Sequence, residues 1–424
     1  MTKKKVRKPQ REVTKRQLSH WQKQKRRQRI ILSFGIFIIV AVLVIIGVGV
    51  YTKWYIPEYK PLHETVIRVN DTEFNMDYYI KVLRYFGEGQ PSYYMSYIAG
   101  EVVRGIEQNE LMRQGAVELG ISVSDAAVDE ELKNRDLPIS REYRDLVRTE
   151  LLISKLLDEH FEQQVPVSTE QRHVMAMLLE SESQAIEVIV ELEAGGDFAE
   201  LAGELSLDDF SRDEKGDLGW HPEEILTALL GTSIPDEYAF SGEVGVLSEP
   251  IYDEAITKEV GYWLIKVLDR DEESGDAHVQ AILLGSEEET QEVTARLEAG
   301  EDFAELAMEL SQHDASKESG GDLGWLVPAM MSSAFDEFVF DAEIELGTLS
   351  ESIKDDTVIT KGGYWLLKVV DEDEDRQIED DDRDLLKGKL LSEWVSGLWD
   401  DADIDDSYLD SEKMQWAIQR AVGG

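Results

Sequence analysis

A pattern of roughly a hundred residues is written twice in this chain, and a duplicated unit of that size is a small domain in its own right. LEAGGDFAELAGELS (192–206) returns as LEAGEDFAELAMELS (297–311). KGDLGW (215–220) returns as GGDLGW (320–325), and GYWLIKVLD (261–269) as GYWLLKVVD (363–371). The copies lie in tandem at residues 170–271 and 275–372, so what one unit does is most of what the chain does.

The surrounding sequence sets the compartment. A chain of 424 residues has room for three or four domains. Its net charge of −45 conceals an asymmetry: residues 1–29 hold 13 Lys and Arg against one acid, Glu12, which leaves −57 for the remainder. Between the two parts, residues 30–52 form an uncharged run of 23. At about 1.5 Å per residue, a helix of this length spans a hydrocarbon core of roughly 30 Å. Tyr51, Trp54 and Tyr55 fall where an aromatic belt belongs, and the basic flank belongs in the cytoplasm. The expectation is a single-pass cell-membrane protein with a cytoplasmic N-terminus and most of the chain extracytoplasmic. A cleaved signal peptide is the alternative, but the run exceeds the roughly 7–15 residues of a signal core.

Composition removes several classes of function. The chain has no cysteine, so disulfides, thiol nucleophiles and Cys-ligated metals are excluded. Its seven His are scattered without metal-ligand spacing. An ectodomain this acidic repels nucleic acid and anionic lipid. Neither nucleic acid nor a cofactor or metal is therefore expected, and the sequence leaves the oligomeric state open.

Read in order, residues 53–62 are a short Pro-containing tether, and TVIRVNDTEFN (65–75) a hairpin turning at Asn70-Asp71. Helices are predicted over 91–119, stopping at Gly120, then after Ser124, and over 141–163 behind Ser140. Residues 63–164 thus make a mostly helical domain. Each repeat reads strand, two helices, loop, a short helical region and closing strands, an α+β domain on a small antiparallel sheet. Residues 376–424 hold amphipathic helices whose apolar faces (Leu386, Leu390, Trp394, Leu398; Met414, Trp416, Ile418) need a partner, and the helical domain is the natural one.

With these motifs in order, the repeats resemble parvulin-type (PpiC-type) peptidyl-prolyl isomerases. The shared pattern is a His-opened strand, the G-x-D-F-A-x-L-A helix, a Ser-containing loop ending in GDLGW, an apolar A-F segment and a GYxxIKV strand. The plan around them resembles SurA-like, PrsA-like and PpiD-like extracytoplasmic foldases. The resemblance implies an α+β architecture: one N-terminal transmembrane helix, a helical chaperone-like domain, two tandem parvulin-like domains and closing C-terminal helices. It also implies partners, namely unfolded or newly exported polypeptides with X-Pro bonds.

The chemistry asks for few groups. Isomerisation makes and breaks no bond, and its barrier of about 18–20 kcal/mol for an ordinary peptide is mainly lost amide resonance. A catalyst needs an apolar slot for the proline ring and a setting that favours the twisted amide. In parvulins the polar part is a pair of His beside a Cys or Asp. The resemblance carries the first His onto His173 and His278. The acid, taken eight residues before the Asp of GDLG, falls on Asp209 and Asp314. The apolar wall falls on Met331, Phe335 and Phe340 in the second repeat and on Phe240 in the first. The family's second His is Trp263 in one repeat and Trp365 in the other. An indole donates one hydrogen bond, accepts none and does not titrate. A His–His network is therefore absent from both repeats.

The leading reading is a membrane-anchored extracytoplasmic isomerase and foldase, with the second repeat the better catalyst. The alternative is a non-catalytic chaperone that uses degenerate parvulin domains as binding modules. A structural envelope protein using the repeats as spacers is a third class, and it predicts no affinity for unfolded chains.

Overall fold

The computed structural model describes Leu32 and residues 39–423, in two compact units: Met1–Asp158 with Ser392–Gly424, and Glu159–Leu391. The basic tail, 1–29, lies outside the described residues. Helix α1 (Ile39–Leu62) is 24 residues long and contains an 18-residue stretch of mean hydropathy 2.0 with no buried part, so it meets the length and composition of a membrane span.

In the first unit, strands β1 (Thr65–Val69) and β2 (Thr72–Asn75) form the expected hairpin. Asn70 takes the left-handed turn conformation at φ 53°, which Asn tolerates better than most residues. Asn75 caps helix α2 (Met76–Gly87) by accepting from the Tyr78 amide at 3.0 Å. Helix α3 (Met95–Glu118) follows, ending before Gly120 at φ 76°. Ser124 caps α4 (Asp125–Asn134). Ser140 precedes α5 (Arg141–Lys155) without capping it, because its hydroxyl donates to Glu142 at 2.6 Å.

The second unit holds both repeats. The first contributes β3 (Ser168–Leu179), α6 (Glu182–Glu193), α7 (Phe198–Leu205), α8 (Asp209–Asp213), β4 (Asp217–His221), α9 (Ile225–Leu230), α10 (Ile234–Ser241), β5 (Ile251–Lys258) and β6 (Gly261–Arg270). The second contributes β7 (Ala277–Leu284), α11 (Glu287–Glu298), α12 (Phe303–Leu310), α13 (Asp314–Glu318), β8 (Asp322–Leu326), α14 (Ser333–Val339), β9 (Ile353–Asp355) and β10 (Thr360–Gln377). Asp197 and Asp302 cap α7 and α12 in the same way, each accepting from two amides, which accounts for the Asp shared by the two copies.

The sheets do not follow the repeats. One sheet runs β4-β3-β10-β5 and the other β8-β7-β6-β9. The closing strand of each repeat has crossed to the other repeat's sheet: Trp365 pairs with Leu178, and Trp263 with Leu283. The folded domains are therefore 168–258 plus 360–377, and 261–355 inserted within it. The expected boundaries at 170–271 and 275–372 are those of the duplicated sequence and not of the sheets. The reason lies in the connections. A six-residue turn at 271–276 makes β6 and β7 an antiparallel hairpin, the shortest route open to β6. Once β6 is so used, the sheet of the first repeat is left for β10.

The chain then returns to the first unit. Helix α15 (Asp380–Asp400) begins in the second unit, where Arg383 and Lys387 bind Glu162, and ends in the first. There Gly115 lets it approach α3: a Cβ at that position would stand 2.8 Å from the Trp394 ring and 2.9 Å from Leu398. Strand β11 (Ile404–Asp405) joins β1, and α16 (Ser411–Val422) packs Ala417 and Ala421 into a core with Ile67, Tyr79, Leu83, Ala99 and Val103.

This core contains one ill-suited group. Glu107 on α3 is 4 % exposed, and its Oε1 finds no hydrogen-bond partner. Burial, aided by Asp406 and opposed by Arg104, pushes its carboxyl up to about 7 from an ordinary 4.5. The folded state thus holds this proton more tightly than the unfolded chain does. Its contribution is fully present below the ordinary value and is lost as pH rises through about 7. Glu107→Gln is expected to stabilise the first unit by about 2–3 kcal/mol at pH 8 and to change little at pH 4. Urea denaturation at the two pH values measures this.

Candidate functional site

Each sheet packs one face against a pair of longer helices and the other into a second apolar cluster beneath short helical segments. In the first domain Val174, Ala176 and Leu178 of β3 and Trp365 and Leu367 of β10 form the second of these faces, packed under Leu226, Leu230 and Ala239. Met177, Leu179 and Leu366 pack the opposite face against α6 and α7. The second domain repeats this with Val279, Ala281, Leu283, Trp263 and Ile265 beneath Phe335 and Val339.

The two tryptophans occupy the centre of these faces. Trp365 is fully buried, and its Nε1 donates to Asp253 Oδ2 at 3.1 Å. Trp263 donates to Asp355 Oδ2 at 3.0 Å. Asp253 also accepts from the Ala255 and Ile256 amides. Asp355 accepts from Ser332 Oγ at 2.5 Å and from the Thr357 amide and hydroxyl. Burial opposes the Asp355 charge, but the bonds from Ser332, Thr357 and Trp263 outweigh it and hold the carboxyl below its usual range. Sequence reading missed these acids. A signal was present, since each repeat places an I-x-D ten residues before its own Trp. The bonds are nevertheless crossed, each Trp serving the other repeat's Asp.

The residues expected to be catalytic lie elsewhere. Strand alternation turns His173 away from Val174, Ala176 and Leu178, and His278 away from Val279, Ala281 and Leu283. Instead His173 Nε2 meets Asp217 Oδ1 at 2.6 Å and its ring stacks on Trp220 at 5.5 Å. His278 repeats this with Asp322 at 2.8 Å and Trp325 at 5.6 Å. Asp322, bonded first by the Gly324 amide and then by His278, is held below its ordinary value. GDLGW is thus the partner of these histidines: its Asp and Trp clamp them at the sheet edge. The residues opposite the tryptophans in register are Leu178 and Leu283.

Asp209 and Asp314 are likewise exposed, and Asp209 pairs with Arg212. The residue before each is the one that turns inward. Asp208 caps α8, and His313 caps α13 by accepting from the Ser316 amide at 3.4 Å. The His313 ring lies 5.3 Å from Trp263, edge to face. Burial draws its pKa below the ordinary value, with Asp314 opposing, so it stands neutral beside the indole.

The apolar residues divide. Phe335 is fully buried and packs edge-on against Trp263 at 5.0 Å, so it is core and not an open wall. Met331 and Phe340 are half-buried around it, as is Phe240 in the first domain. The second domain alone brings an imidazole, an indole, a methionine and phenylalanines to one place. The first offers hydrocarbon and a Trp–Asp bond.

The sequence matches known proteins over these domains. A family model described as the PPIC-type PPIase domain matches residues 153–271 and 262–373, together just over half of the chain. The chaperone SurA of Nitrosococcus oceani is 26% identical over 373 residues, covering 72% of this chain and 83% of that protein. The SurA of Pseudomonas fluorescens is 30% identical over 54% of this chain and 59% of its own length. The foldase protein PrsA of Geobacillus kaustophilus is 36% identical over 23% of this chain and 33% of its own. Among solved structures, a peptidylprolyl isomerase (PrsA) from Bacillus anthracis aligns over 75% of this chain and 94% of its own at 13% identity, with a TM-score of 0.29. The duplicated sheet domains, their shared G-x-D-F-A-x-L-A and GDLGW motifs and the matched span place the chain in the PPIC-type peptidyl-prolyl isomerase family, among relatives that are SurA chaperones and PrsA foldases.

Proposed function

We propose that this chain is a membrane-anchored extracytoplasmic foldase that acts chiefly as a chaperone for unfolded exported polypeptides. Helix α1 would anchor it, with the N-terminus in the cytoplasm. One observation carries the chaperone reading. The helical unit holds an open apolar cavity of about 290 Å³ between α2 and α3, lined by Tyr78, Val82, Phe86, Tyr94, Tyr97 and Ile98. Phe86 is 48% exposed and Tyr97 59%. Aromatic side chains left open in this way suit extended segments with little sequence preference.

Phe86→Asp with Tyr97→Asp is expected to weaken suppression of aggregation of a denatured reporter protein by about tenfold in required concentration, or ~1.4 kcal/mol of binding. Thermal unfolding should stay unchanged, because surface substitutions seldom move it by more than about 0.5 kcal/mol. Unaltered suppression would end this assignment.

The parvulin domains would act as binding modules, because a buried Trp stands in each where the family has its second His, and His173 and His278 are turned away from it. Residual X-Pro isomerisation has one favourable observation, the meeting of His313, Trp263, Met331 and Phe340 in the second domain. A protease-coupled assay on an X-Pro peptide is expected to show acceleration under about tenfold over background, abolished by His313→Ala.

A further inference from the structure

The crossing of β6 and β10 poses a choice. Their sequences, GYWLIKVLDR and GYWLLKVVDE, are nearly interchangeable, so each repeat has the strand to close on itself. We propose that Lys258, Thr360, Arg270 and Glu372 form a lock that selects reciprocal closure over self-closure.

The last residue of the aligned strands carries the first part of the lock. Glu372 lies opposite Arg172 in register and forms an ion pair with it. Arg270 occupies the equivalent place in the other sheet, opposite Ala277, where its guanidinium donates to the Ile344 carbonyl at 2.8 Å and the Val339 carbonyl at 3.0 Å. Self-closure reverses both arrangements. Arg270 would then face Arg172, and like charges directly opposite one another destabilise a strand pair. Glu372 would bring a carboxylate, which cannot donate, to the two carbonyls that Arg270 now satisfies.

The second part lies where the two connections cross. Lys258 and Thr360 are equivalent in the repeats and are register partners in the first sheet. The Lys258 ammonium, on a residue only 3% exposed, donates to the Gly362 carbonyl. Thr360 Oγ1 donates to the Val260 carbonyl at 2.5 Å. Val260 immediately precedes β6, and Gly362 is the equivalent residue of β10, just before the matching Gly363, so each side chain holds the other repeat's hinge. The hinge glycines fit tightly: a Cβ on Gly261 would meet Thr360 at 2.7 Å, and one on Gly363 would meet Leu178 at 2.9 Å. Both hydrogen bonds need the two hinges side by side and have no counterpart within one repeat.

The absence of native cysteine makes the test direct. Met175 is the register partner of Lys368, and Lys266 that of Gln280; all four lie in strand interiors, away from the lock. In the full chain, Met175→Cys with Lys368→Cys is expected to oxidise to an intramolecular disulfide. Met175→Cys with Lys266→Cys should yield at least about tenfold less. A dominant 175–266 bond, or a 175–368 bond found only between two molecules, overturns the proposal. The lock is then tested by exchanging charges. Arg270→Glu with Glu372→Arg should shift yield from 175–368 towards 175–266 by about tenfold or more. Lys258→Thr with Thr360→Lys, which keeps both groups, should not. An unchanged yield with the charges exchanged, in a folded chain by circular dichroism, refutes the selection.

Discussion

A fragment of residues 259–356 is expected to fold alone and to be more stable than the repeat-length fragment 275–372 by about 3 kcal/mol. The first contains a complete sheet, β8-β7-β6-β9, with Trp263, Phe335 and Asp355 in their native relation. The second must close with its own β10. It then loses the two charge-assisted bonds of Arg270, each worth roughly 1.5–3 kcal/mol, and sets Glu372 against their carbonyl acceptors. Urea unfolding of the two fragments measures the difference. Equal stabilities would mean that the sequence repeat, and not the exchanged unit, is what folds.

Trp365→Ala is expected to cost about 3–5 kcal/mol, the range for truncating a large buried aromatic. It also leaves Asp253 without the indole donor. The damage should appear in the other repeat from the one mutated. Hydrogen-exchange protection should fall in β3 and β5, which flank β10, while β7 and β9 keep theirs. Trp263→Ala should give the mirror result, exposing β7 and β9. Loss of protection within the mutated repeat's own other strands would contradict the crossed pairing.

Much of the architecture was legible in the residues, and the misreadings have physical causes. The start of α4 was readable because Ser124 caps as its position demands, whereas Ser140 marks the start of α5 without capping it. The hairpin at Asn70 and the apolar faces of the closing helices were readable for similar reasons. Strand exchange was not, because hydrophobic alternation tells a strand which face to bury and says nothing about which of two like sheets to join. Within the aligned strands GYWLIKVLDR and GYWLLKVVDE, only the last residue, Arg270 against Glu372, differs in charge. The histidines were misplaced by parity. His173 and His278 open their strands as the family pattern asks, but a one-residue step in a strand turns a side chain to the other face. The same step separates exposed Asp314 from inward His313. Asp253 and Asp355 were overlooked because acids are everywhere in this chain, and only the indole donors single these two out.

The turn at 271–276, so brief that β6 and β7 form a hairpin, has a consequence for surviving a proteolytic cut. A protease that severs it frees neither half. The N-terminal piece still supplies β6 to the sheet of the C-terminal piece, which returns β10. Nicked chains would migrate together until denatured, much as two links of a chain stay joined after one is scratched through at the surface. Duplication followed by trading of strands has given a protein without disulfides a non-covalent clasp of comparable reach.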